Sequence, residues 1–245
     1  MRINNHKRKF FVQSIMTNTV KQKLLYNLHL LKSMGFNYHK GLNLIPNDIK
    51  NLKLPDNIST LKSNVENCYL CELSKTRKNV LFGMGNHNSK VIFISDEPST
   101  SEDALGTFYS GKSGELLSKM IENVLNIKKE EVYITNLVKC KSSNSLNKSN
   151  VESCNDYLQK QIELINPELI VSLGESTYSY LLNEKDNFSQ NRGKELTYHN
   201  IKLIPTFSAN YLLRNPSAKK DAYYDMLRIK NILELTNWNI YYYLY

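Results

Sequence analysis

No stretch of this 245-residue chain stays apolar for the roughly 20 residues that a bilayer-spanning helix requires, so a membrane-spanning protein is not expected. Internal repeats and low-complexity tracts are also lacking, apart from the aromatic tail YYYLY, which excludes solenoids and biased linkers. Acidic charge is short: 23 Asp and Glu stand against 32 Lys and Arg, a formal net charge of +9. That balance suits an anionic partner such as nucleic acid. Most of the positive charge is Lys, in a chain rich in Asn, Ile and Tyr, which a nucleotide-composition bias would also produce. The charge permits nucleic-acid binding without diagnosing it. The start MRINNHKRKFFVQSIM imitates a targeting peptide, but Gln13 and Ser14 interrupt its apolar run and no small-residue cleavage site follows. Met16 is a second candidate start, because a helical pattern opens just after it. A cytoplasmic protein is expected.

Cysteine is scarce as well, and its placement is informative. The four are Cys68, Cys71, Cys140 and Cys154, the first two a Cys-x-x-Cys pair and the last two bracketing a loop after an expected strand. With no secretory signal, two disulfides are disfavoured. Four thiols from two distant segments can close one metal site and tie the front of the chain to its middle. Structural zinc and a four-thiolate iron–sulfur cluster both fit that spacing. Buried free thiols are the plain alternative.

Apolar periodicity organises the rest. Residues 18–34 carry a helical stripe (Val20, Leu24, Leu25, Leu28, Leu31, Met34) that ends at Gly35. Residues 36–65, rich in Asn and containing Pro46 and Pro55, read as a linker with little structure of its own. From Val91 onward, short β-rich runs at 91–95, 132–135, 169–173 and 202–207 alternate with helical patterns. Those helices are expected at Gly114–Ile127, Val151–Ile165, Glu175–Asn183 and from Ala218 to Leu235. The alternation predicts an α/β fold, a three-layer α/β/α sandwich around a four-stranded parallel sheet, plus an N-terminal helix. The expected division is 1–17 without fixed structure, 18–65 helix and linker, 66–235 the main domain and 236–245 a tail. In such a fold the ligand lies at the carboxyl ends of the strands. The loops there hold Ser95-Asp96-Glu97-Pro98-Ser99, Gly106 to Gly114, Thr135-Asn136 through Lys139-Cys140, and Ser208 to Pro216.

These loops give the chain a resemblance to the family 4 uracil-DNA glycosylases, which carry an iron–sulfur cluster. The resemblance covers about residues 66–233. It rests on the four cysteines, Thr135-Asn136 with Lys139-Cys140, Pro167 to Gly174, and Tyr211-Leu212-Leu213-Arg214-Asn215-Pro216. By that resemblance, the four cysteines would hold a [4Fe–4S] cluster, with structural zinc the alternative. Asn136 would read a flipped uracil and Tyr109 would stack on it. Leu212, Leu213 and Arg214 would press into DNA, with Lys112 near the backbone. The partner would be DNA containing uracil or another deaminated base, and the protein a monomer.

Two motifs depart from the family. Ser95-Asp96-Glu97-Pro98-Ser99 stands where the family has Gly-Glu-Ala-Pro-Gly, and Ser208-Ala209 where it has His-Pro. Asp96, Glu97 and Ser208 are therefore the catalytic candidates, as carboxylates beside the sugar and a donor to the departing base. Hydrolysis of the N-glycosidic bond, weakened or altered, is the leading expectation. The alternatives are an iron–sulfur DNA-binding protein without catalysis and a metal-stapled protein-interaction domain.

Overall fold

The computed structural model describes residues 54–183 and 187–242. The stripe at 18–34, the start expected to lack fixed structure and most of the linker lie outside the described residues, as does the end of the tail. The linker's last part is not loose. Helix α1 (Ile58–Glu66) forms there, capped by the Asn57 side chain, which accepts from the Ser59 and Thr60 amides. It buries Leu61 and Val65 against Phe82 and Tyr157. The expectation of a linker up to residue 65 fails because two apolar residues four apart suffice to dock a short helix on a waiting surface.

The elements that follow are a 3-10 turn (Glu72–Lys75), β1 (Met84–Gly85), β2 (Val91–Ser95), α2 (Thr100–Leu105), and α3 (Gly111–Lys119), which widens into a π-helical turn over Met120–Leu125. Then come β3 (Tyr133–Asn136), α4 (Lys148–Ile165), β4 (Leu169–Leu173), α5 (Glu175–Leu182), α6 (Phe188–Asn191), β5 (Leu196–Tyr198) and β6 (Ile201–Thr206). Helix α7 (Ala209–Arg214), a 3-10 turn (Pro216–Ala218) and α8 (Lys219–Tyr242) complete them. No helix among the described residues is long and apolar enough to cross a membrane.

Among the described residues the sheet has six strands, in the order β1-β3-β2-β4-β6-β5. Its centre, β3-β2-β4-β6, is parallel and matches the four expected strands. The two edges are antiparallel additions. β1 has only two residues, too few for any periodic signal. β5 returns to β6 through His199 and Asn200, both at positive φ, a tight hairpin turn that Asn tolerates and His adopts here.

Alternation along the strands feeds two cores. Val91 and Phe93 of β2 face one layer with α3 and α8, while Ile92 and Ile94 face the other with α4. This is the three-layer sandwich, with a buried parallel sheet at its centre. β2, first of the four central strands in the chain, lies between β3 and β4, so the strand order reverses beside it. The crevice at such a switch point is where α/β sheets bind ligands.

Candidate active site

At the carboxyl end of β2 the chain leaves the sheet through Asp96 and Glu97. Pairing with the β3 side continues past the strands, since Leu137 N–H donates to Ser95 O (2.8 Å) and Val138 N–H to Asp96 O (3.2 Å). Ser99 then caps α2 in a reciprocal capping box with Glu102. The other Glu102 oxygen accepts from the Tyr109 amide at 3.2 Å, which fastens the return of the loop. Tyr109 is at φ 61, and Gly114 lies so close that any Cβ there would collide with the Tyr109 backbone. Gly114 thus permits the close packing of that loop on α3.

One cleft forms where these ends meet. It is lined by Asp96, Glu97, Phe108, Asn136, Ser208 and Asn210, with Ser113, Leu173 and other residues behind them. Three of the four central strands supply its chemistry. Asp96 follows β2, Asn136 ends β3, and Ser208 follows β6.

Asn136 is 2% exposed, and among the described residues its Nδ2 donor has no partner. Its main chain is held firmly instead: Lys139 Nζ donates to Asn136 O at 2.6 Å and to Thr135 Oγ1 at 2.7 Å. Thr135 Oγ1 donates in turn to Phe82 O, with Gln161 alongside. Burial lowers Lys139 to a pKa of about 8. Lys139 belongs to the motif Thr135-Asn136 with Lys139-Cys140, but its role there has no sign in the sequence, and Gln161 has none at all. The order Thr135-Asn136 followed by Lys139 was the only signal, since a one-turn return of a lysine onto the strand end has no periodic signature.

The two carboxylates differ in their commitments. Glu97 accepts from Lys141 Nζ (2.5 Å) on one oxygen and from the Ser142 amide (2.8 Å) on the other. Both oxygens thus face the segment just after Cys140. Asp96 accepts only a local bond from the Glu97 amide at 2.9 Å, and among the described residues it has no ion pair. Ser208 caps α7, its Oγ accepting from the Tyr211 amide at 3.3 Å, which leaves the hydroxyl proton available to donate. Gly174, at φ 94 beyond β4, faces it: a Cβ there would lie 3.2 Å from Ser208 Cβ.

Two expectations need correction. Phe108, not Tyr109, is the aromatic along the cleft. The left-handed turn at Tyr109 sends its ring against the core cluster, with its hydroxyl buried and, among the described residues, unpartnered. Leu212 is 1% exposed within the same core, so it cannot press into DNA. A six-residue helix must bury something, and Leu212 is on its inner face. Leu213 and Arg214 point outward, and Lys112 is exposed in the first turn of α3.

The four cysteines line a second cavity with Leu70, Arg77 and Lys139. Arg77 Nη1 donates to Cys140 Sγ at 3.3 Å and to Cys68 O at 2.8 Å, and the Leu70 amide approaches Cys68 Sγ at 3.5 Å. Burial pushes the Cys68 thiol up to about 11 and Cys154 up to about 12, and it raises Cys140 as well. Among the described residues, no three His, Cys, Asp or Glu side chains form a group that could hold a metal ion. The donor set is all sulfur, walled by apolar groups with one guanidinium on it. Arg77 is the supporting residue that the sequence reading passed over.

Residues 82–228 match the family model of the uracil DNA glycosylase superfamily. The chain is 35% identical over 188 residues to the type-4 uracil-DNA glycosylase of Saccharolobus solfataricus, covering 73% of this chain and 87% of that protein. It is 30% identical over 187 residues to the type-4 enzyme of Sulfurisphaera tokodaii, covering 72% and 85%. With that of Thermotoga maritima it shares 35% over 161 residues, 64% and 83% of the two chains. The fold, the order of the site segments and these likenesses agree: the chain belongs to the uracil-DNA glycosylase superfamily, in its type-4 family.

Proposed function

We propose that this chain hydrolyses the N-glycosidic bond of a uracil extruded from DNA. The unpartnered amide donor of Asn136 carries the reading, because it stands buried in a cleft that also holds a carboxylate and a hydroxyl. An Asn amide offers Nδ2–H to uracil O4 and Oδ1 to uracil N3–H. Cytosine presents the reverse pattern and is refused, provided the amide cannot turn. The grip of Lys139 on the Asn136 carbonyl fixes the backbone from which that amide projects. Phe108 is the aromatic that closes on the base.

Asp96 serves as the group that orients water. Its carboxylate has no ion-pair partner to draw it away, so it can accept the water proton as the oxygen bonds to C1′ of the deoxyribose. The C1′–N1 bond breaks and its electron pair leaves with the base. Ser208 donates to the charge gathering on uracil O2, and a proton from the medium completes free uracil. Glu97, with both oxygens engaged, positions the Cys140 segment and does not act as a base.

Four sulfurs around one cavity fit a [4Fe–4S] cluster held by Cys68, Cys71, Cys140 and Cys154. An all-sulfur set of four cysteines suits such a cluster, with structural zinc the alternative. Bound there, the cluster would supply a cross-link between α1, the Cys140 loop and α4. DNA is the partner, with Lys112, Leu213 and Arg214 beside the cleft to receive it.

A labelled oligonucleotide with a single uracil tests the activity. Incubation followed by alkali is expected to give strand scission at that position only. No abasic product after hours at enzyme excess would overturn the reading. The purified protein is expected to be brown, with broad visible absorption; a colourless sample with stoichiometric zinc would replace the cluster by zinc.

A further inference from the structure

Tyr211 stands one residue beyond Asn210, outside the machinery assigned above. The residue is 39% exposed, yet its ring is not loose. It stacks on Phe207 with centroids 4.8 Å apart and planes within 10°. Phe207 is itself fixed. Arg192 lies over its ring, with Cζ 4.8 Å from the centroid, and Phe188 meets its edge at 5.7 Å. Phe207 thus has Arg192, Phe188 and Tyr211 all packed against its ring. Arg192 Nη1 donates to Asp225 at 2.6 Å, and Asp225 also accepts from Thr206 Oγ1 at 2.8 Å. Asp225 is buried in α8, so the orientation of an exposed ring traces to a carboxylate in the interior.

One face of Tyr211 is used in this stack, while the residue stays exposed to solvent. Exposed side chains keep their rotamer freedom unless something is gained by fixing them, and a tilt in the open gains little burial. A nucleobase gains from such a platform, since stacking on an aromatic is worth roughly 5- to 150-fold in affinity per base. A ring held in advance loses less on binding than one that must be ordered. The surroundings match: Arg214, exposed one helical turn on, is placed for a phosphate, with its Nε bonded to Asn210 O at 3.3 Å.

We propose that Tyr211 is a stacking subsite for the base next to the extruded nucleotide, replacing the stacking that the extruded base gave up. The proposal rests on the reading that DNA occupies the cleft. Its specific content is that one neighbouring base, on one side only, is read by its aromatic face without regard to its identity.

The test uses single-stranded oligonucleotides carrying 2′-fluoroarabino-uridine, which resists cleavage, with each neighbour in turn normal or an abasic tetrahydrofuran. Binding is followed by fluorescence anisotropy. The wild-type protein is expected to lose about 5- to 150-fold in affinity when one particular neighbour is removed. Tyr211→Ala is expected to lose as much and to become indifferent to that neighbour, whereas Tyr211→Phe behaves as wild type. A 2-aminopurine at the same position should be more quenched by wild type than by Tyr211→Ala. The proposal is overturned if Tyr211→Ala keeps wild-type affinity, or if its loss adds to that of the missing neighbour. Excision of uracil without any neighbour effect sinks this subsite alone. A neighbour effect without excision leaves it standing and sinks the glycosylase reading, and failure to bind DNA removes both.

Discussion

At the scale of single residues, the site works by differences among chemically similar groups. Asp96 and Glu97 are adjacent carboxylates in one cleft, but only Asp96 has oxygens free of cationic partners. Asp96→Asn should therefore lower kcat by about 10²–10⁴ with no loss of melting temperature. Glu97→Gln, which keeps one acceptor for the Ser142 amide, should act more weakly; an equal loss for both variants in single-turnover excision would erase the distinction. Ser208 stands where a longer donor would reach further. Ser208→Ala removes the donor and the cap together, and should cost about 10²–10³ in rate and about 1 kcal/mol in stability. Ser208→His should raise uracil excision more than tenfold, despite the same lost cap, if donor reach is the weakness. The identity of Asn136 was legible from the sequence because a whole motif surrounds it. Phe108 was not, because the register of the aromatic depends on a left-handed turn at Tyr109 that no residue pattern announces.

At the scale of elements, strand ends carry the site and short helices hold those ends in place. The four central strands were legible because each is a continuous β-rich apolar run, and the helices between them because their stripes repeat over several turns. The elements that shape the cleft, α2 and α7, each have six residues and no room for a stripe. Their existence follows from capping by Ser99 and Ser208, visible only once the strands before them are placed. The same limit hid α1, whose two buried residues need the surface of Phe82 and Tyr157 to mean anything. Gly174 shows how closely the elements meet. Its φ of 94 and ψ of 162 are open to glycine almost alone, and a side chain would press on Ser208. Gly174→Ala should cost about 1–3 kcal/mol from backbone strain. It should also displace Ser208, so that excision falls toward the level of Ser208→Ala and the double mutant falls little further. Steady-state kinetics on the two variants and their double mutant give the check: additive losses would mean that Gly174 does not act through Ser208.

At the scale of the whole molecule, binding divides into a stacking part and an ionic part, and salt separates them. The net charge of +9 draws DNA toward the protein from all sides, but only cations that contact phosphates release counterions. Helices α3 and α7 pack together and carry the exposed cations Lys112 and Arg214, and α8 begins soon after α7 with exposed Lys219 and Lys220. Four such contacts on a single strand predict a slope of log K against log salt of about −2.8, or roughly a 50-fold loss of affinity between 50 and 200 mM. Replacing Lys219 and Lys220 together by Gln should cut that slope to about −1.4 and weaken binding evenly across sequences. Tyr211→Ala should do the reverse, lowering affinity at every salt concentration while leaving the slope unchanged, because stacking on a neutral ring displaces no counterions. A slope that stays near −2.8 in the double Lys variant would mean that the strand does not run over the start of α8. The path from the cleft would then have to follow Lys112 and the Cys140 loop instead.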